Sequence, residues 1–179
     1  MLLPLVKPGL LFPGATVENE TRCIRSRLEA LHKQGFRRIV LVSNTPVQYA
    51  PEVVAYGPNA TAEAQEYSEK NNEQQAVVVQ GLLEKFNSKL RRGEVRITID
   101  VFPAYELFDR VHKSGVEYGF KDTTTPCSAL PSCDGYFWYD GLHPYTRFWH
   151  IFARKMTRFV VDGARGLDLI QGDEGVAAP

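Results

Sequence analysis

Two short runs of apolar, mostly branched residues constrain the fold more than any other feature of this sequence. They span 38–43 and 95–102, and the first is bounded by Gly35 and Pro46. The first run is typical of a β-strand that is buried on both faces, and the second is predicted to be a further strand. A long stretch with helical periodicity separates the two runs. We therefore expect parallel strands joined by a helical crossover, as in layered α/β domains.

The remaining segments alternate between helical periodicity and irregular composition. Apolar side chains at helical spacing predict four helices, from about Glu18 to Lys33, from about Ala62 to Leu90, from Ala104 to Val111 and after Pro144. Glycine, proline and the lack of a period indicate loops at 48–61 and 115–142. We expect an irregular segment at 1–14 and a flexible tail at 163–179.

A sheet of only two strands is incomplete. A strand that is buried on both faces needs neighbours along its edges, and two strands alone make a marginal sheet. We therefore expect this chain to be part of a larger, doubly wound domain. The exposed edge at 38–43 further predicts that the isolated chain is poorly soluble.

Composition excludes two classes of function. The 179 residues carry 21 basic and 21 acidic side chains, so the formal charge is zero and a polybasic nucleic-acid binder is excluded. No apolar run approaches the roughly 20 residues of a membrane span. The apolar N-terminus is interrupted by Pro4, Pro8 and Pro13 and lacks a basic start, so we do not expect it to be a signal peptide.

Other features nevertheless indicate an extracellular protein. Asn19-Glu20-Thr21 and Asn59-Ala60-Thr61 are acceptor motifs for N-glycosylation. Cys127 and Cys133 lie close together in a loop rich in proline and serine, which favours a short disulfide and leaves Cys23 unpaired. The alternative is three free thiols in a reducing compartment.

The chemistry is concentrated at Asp140 and His143. The two residues are three apart with a glycine between them, so a tight turn brings the carboxylate against one imidazole nitrogen. Such a carboxylate fixes the tautomer and stabilises the imidazolium, while the other nitrogen serves as a general base. The alternative is a loop aspartate and a helix-capping histidine without a catalytic role.

The residues around this pair resemble a known family. Residues 137–149, Phe-Trp-Tyr-Asp-Gly-Leu-His-Pro-Tyr-Thr-Arg-Phe-Trp, resemble the last conserved block of the SGNH hydrolases, the GDSL esterase/lipase superfamily, especially its fungal-type carbohydrate-esterase-like members. The runs 38–46 and 97–108 resemble the last two core strands of that family. The resemblance implies that residues 15–162 are the C-terminal portion of an SGNH domain, an incomplete three-layer α/β/α flavodoxin-like fold with parallel strands.

The resemblance also implies an activity. It predicts hydrolysis of an acetylated carbohydrate or a simple ester, outside the cell and without a cofactor or metal, with His143 as the general base and Asp140 orienting it. The family's serine lies in a Gly-Asp-Ser motif, which the 179 residues lack; Gly172-Asp173-Glu174 comes nearest. Gly57-Pro58-Asn59 matches the oxyanion-hole block only weakly. We therefore expect the part with the nucleophile to be missing.

Several alternatives remain. Ser43 or Ser114 could replace the missing nucleophile, or the chain could be a truncated, catalytically incompetent family member with a binding or structural role. A generic α/β module with a redox or nucleotide role lacks the expected glycine-rich loop and Cys-x-x-Cys motif. A metal site would need a further ligand beside Asp140, His143 and His150. Trp138, Tyr139 and Trp149 form either a substrate-binding wall or part of the core.

Overall fold

The fold is built from five α-helices and four short strands within residues 16–162, which a computed structural model describes. The helices are α1 (Val17–Lys33), α2 (Pro51–Ala55), α3 (Pro58–Asn87), α4 (Ala104–Lys113) and α5 (Thr146–Asp162). The strands are β1 (Arg38–Val42), β2 (Thr98–Phe102), β3 (Asp122–Pro126) and β4 (Tyr136–Trp138). The expected irregular segment 1–14 and tail 163–179 lie outside the described residues, as does residue 15.

The two apolar runs pair in parallel, as the sequence predicts. Their register runs from Arg38 opposite Thr98 to Val42 opposite Phe102. Neighbouring residues of β1 enter different apolar clusters, because successive side chains of a strand point to opposite faces. Ile39 packs with residues of α1 and α3, whereas Val40 packs with residues of α4 and α5. The mixed α/β architecture with parallel strands is therefore confirmed.

The prediction of a loop at 48–61 is wrong. Helix α2 lies within this range, and α3 begins at Pro58, four residues before the predicted start. Both helices have proline among their first residues. A proline is favourable there because its missing N–H is not needed in the first turn. The prolines therefore start helices here, whereas the sequence interpretation treated them as helix breakers.

The prediction of an unbroken loop at 115–142 is also wrong. Strands β3 and β4 pair in parallel within it and form a second two-stranded sheet with an irregular register. Strand β3 is Asp-Thr-Thr-Thr-Pro and lacks an alternating apolar pattern, and β4 has three residues. Neither strand therefore carries a period that can be recognised. The predicted disulfide between Cys127 and Cys133 is present immediately after β3.

An aromatic core lies beneath the segment that joins β4 to α5. Phe137 and Phe148 are fully buried on either side of this segment. Both rings contact Phe108 of α4 edge-on, with centroid distances of 5.1 and 4.8 Å. Edge-to-face contacts of this kind add to the free energy gained from burial. The segment between β4 and α5 is therefore held at both ends by rigid packing.

None of the helices described between residues 16 and 162 combines the length and apolarity that crossing a membrane requires.

Replacing Phe102 by alanine tests the packing of the central strand pair. The ring is fully buried and contacts Phe152 and Phe159 of α5 edge-on. We expect Phe102→Ala to lower the free energy of unfolding by about 3–5 kcal/mol, because it leaves a cavity. Val116→Ala is the control, because the Val116 side chain is 85% exposed. It should change the free energy of unfolding by less than about 0.5 kcal/mol. Urea denaturation measures both, and equal effects would contradict this packing.

Candidate active site

The candidate site is the loop that connects β4 to α5. The Tyr139 N–H donates to the His143 carbonyl over 2.8 Å, and the Tyr145 N–H donates to the Phe137 carbonyl over 2.6 Å. These two bonds fold the chain back on itself. The loop therefore begins and ends at the same place on the aromatic core.

Asp140 organises the interior of this loop. Its Oδ1 accepts the backbone N–H groups of Leu142 and His143 over 2.8 and 2.7 Å. Aspartate favours such turns because its short side chain reaches the backbone two and three residues ahead. The same carboxylate lies 3.0 Å (Oδ1) and 2.9 Å (Oδ2) from Nδ1 of the His143 ring. One side chain therefore fixes both the turn and the imidazole.

The electrostatics favour an ionised Asp140. Partial burial opposes ionisation, but the Leu142 and His143 N–H donors and the His143 ring outweigh it and hold the pKa of Asp140 below its ordinary value. An acceptor of several N–H groups keeps its negative charge more readily. The carboxylate can therefore stabilise an imidazolium at the adjacent ring.

The imidazole is open to solvent. The His143 side chain is 71% exposed and that of Asp140 is 40% exposed. With Nδ1 facing two carboxylate oxygens, the neutral ring carries its proton on Nδ1 and a lone pair on Nε2. Nε2 is the nitrogen away from Asp140 and is available as a base. This arrangement has the geometry that the acid–base pair of a catalytic triad requires.

Helix α2 supports the outer side of the loop. The Glu52 N–H donates to the Gly141 carbonyl over 2.9 Å. A side chain at Gly141 would place its Cβ 3.1 Å from Cβ of Glu52, so glycine permits the close approach. The sequence interpretation missed Glu52 because it assigned α2 to a loop. The available signal was Pro51, a residue suited to the start of a helix.

His112 lies between the two segments that hold the loop. Its ring stacks on Tyr49 at 4.3 Å, just before α2, and meets the edges of Phe137 and Trp138 of β4 at 5.5 and 6.3 Å. Burial lowers the pKa of His112, while a hydrogen bond to the Thr123 backbone partly opposes the shift. The neutral ring is therefore the form that fits this position.

His32 and His112 both lie in the last turns of their helices, where a cation would complement the helix dipole. Burial lowers the pKa of His32 as well, with further contributions from Arg37 and Lys85, and its ring stacks on Phe86 at 3.9 Å. Both imidazoles are thus favoured as neutral packing groups.

The two serines considered as replacement nucleophiles lie at opposite ends of α4. Ser43 is buried, and its hydroxyl accepts the Tyr105 N–H over 3.1 Å. It closes the first turn of α4, where the preceding Pro103 offers no side-chain cap. Ser114 ends the same helix through a bond from its N–H to the Arg110 carbonyl. Within residues 16–162 no hydrogen bond joins either serine to His143.

The aromatic residues near the site divide into two groups. Trp138 is buried, and its Nε1 donates to the Thr123 carbonyl over 2.8 Å, so it belongs to the core. Tyr139, Leu142 and Trp149 are 48, 46 and 46% exposed. Along the chain, Tyr139 precedes the Asp140–His143 dyad, Leu142 lies within it and Trp149 follows it, and all three remain candidates for substrate contact. Leu142 was not singled out from the sequence, because one leucine in a loop carries no pattern.

In the described part of the chain, Asp140 and His143 are not joined by a third side chain that could complete a metal site. His150 is exposed on α5. Across residues 16–162, no three His, Cys, Asp or Glu side chains are grouped so as to hold a metal ion.

Removing the Asp140 carboxylate should release the turn. We expect Asp140→Ala to accelerate amide hydrogen exchange at Leu142 and His143 by about tenfold or more, since hydrogen bonds to charged groups contribute about 1.5–3 kcal/mol. Asp140→Asn is the matched control, because its amide oxygen still accepts both N–H groups and should give a smaller effect. Exchange rates measured by NMR that do not change in Asp140→Ala would contradict the geometry.

The buried His112 predicts a loss of stability in mild acid. Its pKa is lowered from an ordinary value of 6.5, so the unfolded chain takes up the proton first as the pH falls. The free energy of unfolding should therefore decrease below about pH 6.5 and continue to decrease until the folded form is protonated too. Thermal unfolding measured from about pH 7 to about pH 5 should show a shallower decrease in His112→Phe. A steeper decrease in the variant would be inconsistent with a neutral, buried imidazole.

Comparison with known proteins gives a partial likeness. No protein-family model matches the chain. The anther-specific proline-rich protein APG of Brassica napus is 24% identical over 147 aligned residues, which cover 72% of this chain. The chain spans 31% of the length of that relative.

Proposed function

We propose that this chain is the acid–base portion of a serine ester hydrolase of the SGNH, or GDSL, type. The observation that carries the proposal is the bond between Nδ1 of His143 and the carboxylate of Asp140, at 2.9 and 3.0 Å, on a solvent-exposed loop. Residues 15–162 would then be the C-terminal portion of the hydrolase domain. The spacing of the pair and its place before the last helix are the features shared with that family.

The parallel pair of β1 and β2 supports the corresponding fold. Ile39 and Ile99 face one apolar cluster, while Val40 and Phe102 face the other. A strand pair covered by helices on both faces is the central element of a three-layer α/β/α, flavodoxin-like domain. In the proposed domain, further parallel strands would extend this sheet.

The proposed reaction follows the triad mechanism. Nε2 of His143 takes the proton from a serine hydroxyl as the oxygen attacks the ester carbonyl, and Asp140 stabilises the resulting imidazolium. The imidazolium then returns the proton to the departing alcohol, and the acyl-enzyme is hydrolysed by the reverse use of the same base. The proposal places the serine and the oxyanion donors outside the 179 residues, which contain no Gly-Asp-Ser string.

The side chains around Asp140 and His143 indicate which kind of substrate would fit the site. The half-exposed side chains of Tyr139, Leu142 and Trp149 offer apolar and aromatic surface beside an open histidine. Such surface suits the ring faces of an acetylated carbohydrate or the acyl part of a simple ester. The disulfide between Cys127 and Cys133 is compatible with the extracellular setting in which we place the reaction.

The missing nucleophile favours a second candidate function. A His–Asp pair without a serine can only activate water, and loss of one triad member lowers kcat by several orders of magnitude. Loss of the oxyanion donors costs about a further 10²–10³-fold. The second candidate is therefore a catalytically incompetent relative of the hydrolases that serves a binding or structural role.

Hydrolysis of p-nitrophenyl acetate separates the two candidates. The assay uses residues 15–162 joined to the nucleophile-bearing N-terminal portion of an SGNH hydrolase, because the proposal places the serine outside this chain. If the chain supplies the base, His143→Ala in the joined protein should lower kcat/KM by about 10³-fold or more. His150→Ala is the matched control, because His150 is also exposed but lies on α5, and it should leave the rate unchanged. A fluorophosphonate probe should label the serine of the active joined protein. Absence of both turnover and labelling in the joined protein would reject the hydrolase and favour the incompetent relative.

A further inference from the structure

Asn59 lies in the exposed first turn of α3, next to the short connection from α2. Helix α2 ends at Ala55 and α3 begins at Pro58. Gly57 makes the short connection possible because its φ of 93° lies in the left-handed region that glycine adopts readily. Asn59 is in the first turn of α3 and is exposed. Its side-chain amide is thus presented at the surface of the folded protein.

The neighbouring residues complete an acceptor motif around this amide. In Asn59-Ala60-Thr61, Ala60 is 5% exposed and anchors the turn in the interior. The Thr61 hydroxyl donates to the Gly57 carbonyl over 3.0 Å. The middle residue of the motif therefore faces inwards and the acceptor asparagine faces outwards. A bulky group at Asn59 does not displace the core.

Uncovered apolar surface lies in the same stretch of chain. Val54 and Tyr56 are 54 and 45% exposed, and Tyr56 precedes Asn59 by three residues. Contact of these apolar side chains with water is unfavourable, so a group that covers them is favoured. The C–H face of a pyranose ring packs well on an aromatic ring, so a sugar on Asn59 would cover this surface.

The disulfide indicates a suitable compartment. Cys127 and Cys133 are joined, and disulfides persist mainly in proteins that pass through an oxidising secretory compartment. N-glycans are attached in that compartment. This step rests on the extracellular setting that is part of the proposed function, but it does not depend on catalysis.

We propose that Asn59 carries an N-linked glycan whose first sugar covers Tyr56 and Val54. In the reaction the Asn59 amide nitrogen bonds to the anomeric carbon of a lipid-linked oligosaccharide. The bond from that carbon to the lipid diphosphate breaks, the diphosphate leaves with the electron pair, and the amide proton passes to a base of the transferase. No oxidant or reductant is needed.

The second motif of the chain provides an internal contrast. Asn19 is half-buried in the first turn of α1, and its N–H donates to the Thr16 hydroxyl over 3.2 Å. Helix α1 carries no large exposed apolar side chain. Within residues 17–33, a glycan at Asn19 would therefore have no comparable surface to cover. The proposal therefore assigns the modification to Asn59 and not to Asn19.

The test uses the full chain expressed behind a cleavable secretion leader in cultured eukaryotic cells. We expect one glycan per molecule, removed by peptide N-glycosidase with conversion of the acceptor at position 59 to aspartate, which peptide mass spectrometry detects. Asn59→Gln and Thr61→Ala should lack the glycan, whereas Thr61→Ser and Asn19→Gln should keep it. If the cells retain the protein, the same spectra are taken from the intracellular membrane fraction.

A second measurement tests whether the glycan covers the Tyr56 ring. Enzymatic removal of the glycan should lower the Tm of the wild-type protein and should have a smaller effect in Tyr56→Ala. A glycan found at Asn19 alone, or no glycan at all, would overturn the assignment. An equal effect of deglycosylation on both proteins would overturn the contact with Tyr56. Because neither readout involves ester hydrolysis, failure here is distinguishable from failure of the proposed activity.

Discussion

The carboxylate of Asp140 holds together two things that the proposed base requires, a fixed backbone turn and a fixed ring. Its Oδ1 accepts two backbone N–H groups, and both oxygens lie within 3.0 Å of Nδ1 of His143. An exposed ion pair alone contributes about 0–1 kcal/mol. Several charge-assisted hydrogen bonds to one acceptor stabilise the turn and also fix the orientation of the groups that make them. The orientation of Nε2, and with it any chemistry at this loop, depends on that convergence.

The rest of the fold gives this loop a rigid base. Phe137 and Phe148 are fully buried on either side of it, and α2 bonds to Gly141 through the N–H of Glu52. Functional groups on loops are positioned best when the supporting elements are well packed. His112 touches both supports, since it stacks on Tyr49 and meets Phe137 edge-on. The protonation state of a buried residue is thereby linked to the stability of the site.

The sequence predicts those parts of the structure that are marked by a pattern of apolar residues or by functional residues close together along the chain. The apolar runs that became β1 and β2, the last helix and the approach of Asp140 to His143 belong to this group. It did not predict α2, because Pro51 and Pro58 are compatible with a loop as well as with a helix start. Nor did it predict β3 and β4, which are short and whose pairing depends on backbone bonds rather than on a side-chain pattern. The support given by Glu52 is a contact between segments distant in sequence, which no local pattern reveals.

The tautomer of His143 tests the central claim most directly. Long-range ¹H–¹⁵N correlation spectra of the neutral imidazole distinguish a proton on Nδ1 from one on Nε2. We expect the proton to reside on Nδ1, directed at the Asp140 carboxylate, and Nε2 to have the chemical shift of an unprotonated ring nitrogen. A proton on Nε2, or averaging between the two forms as in a free histidine, would contradict it.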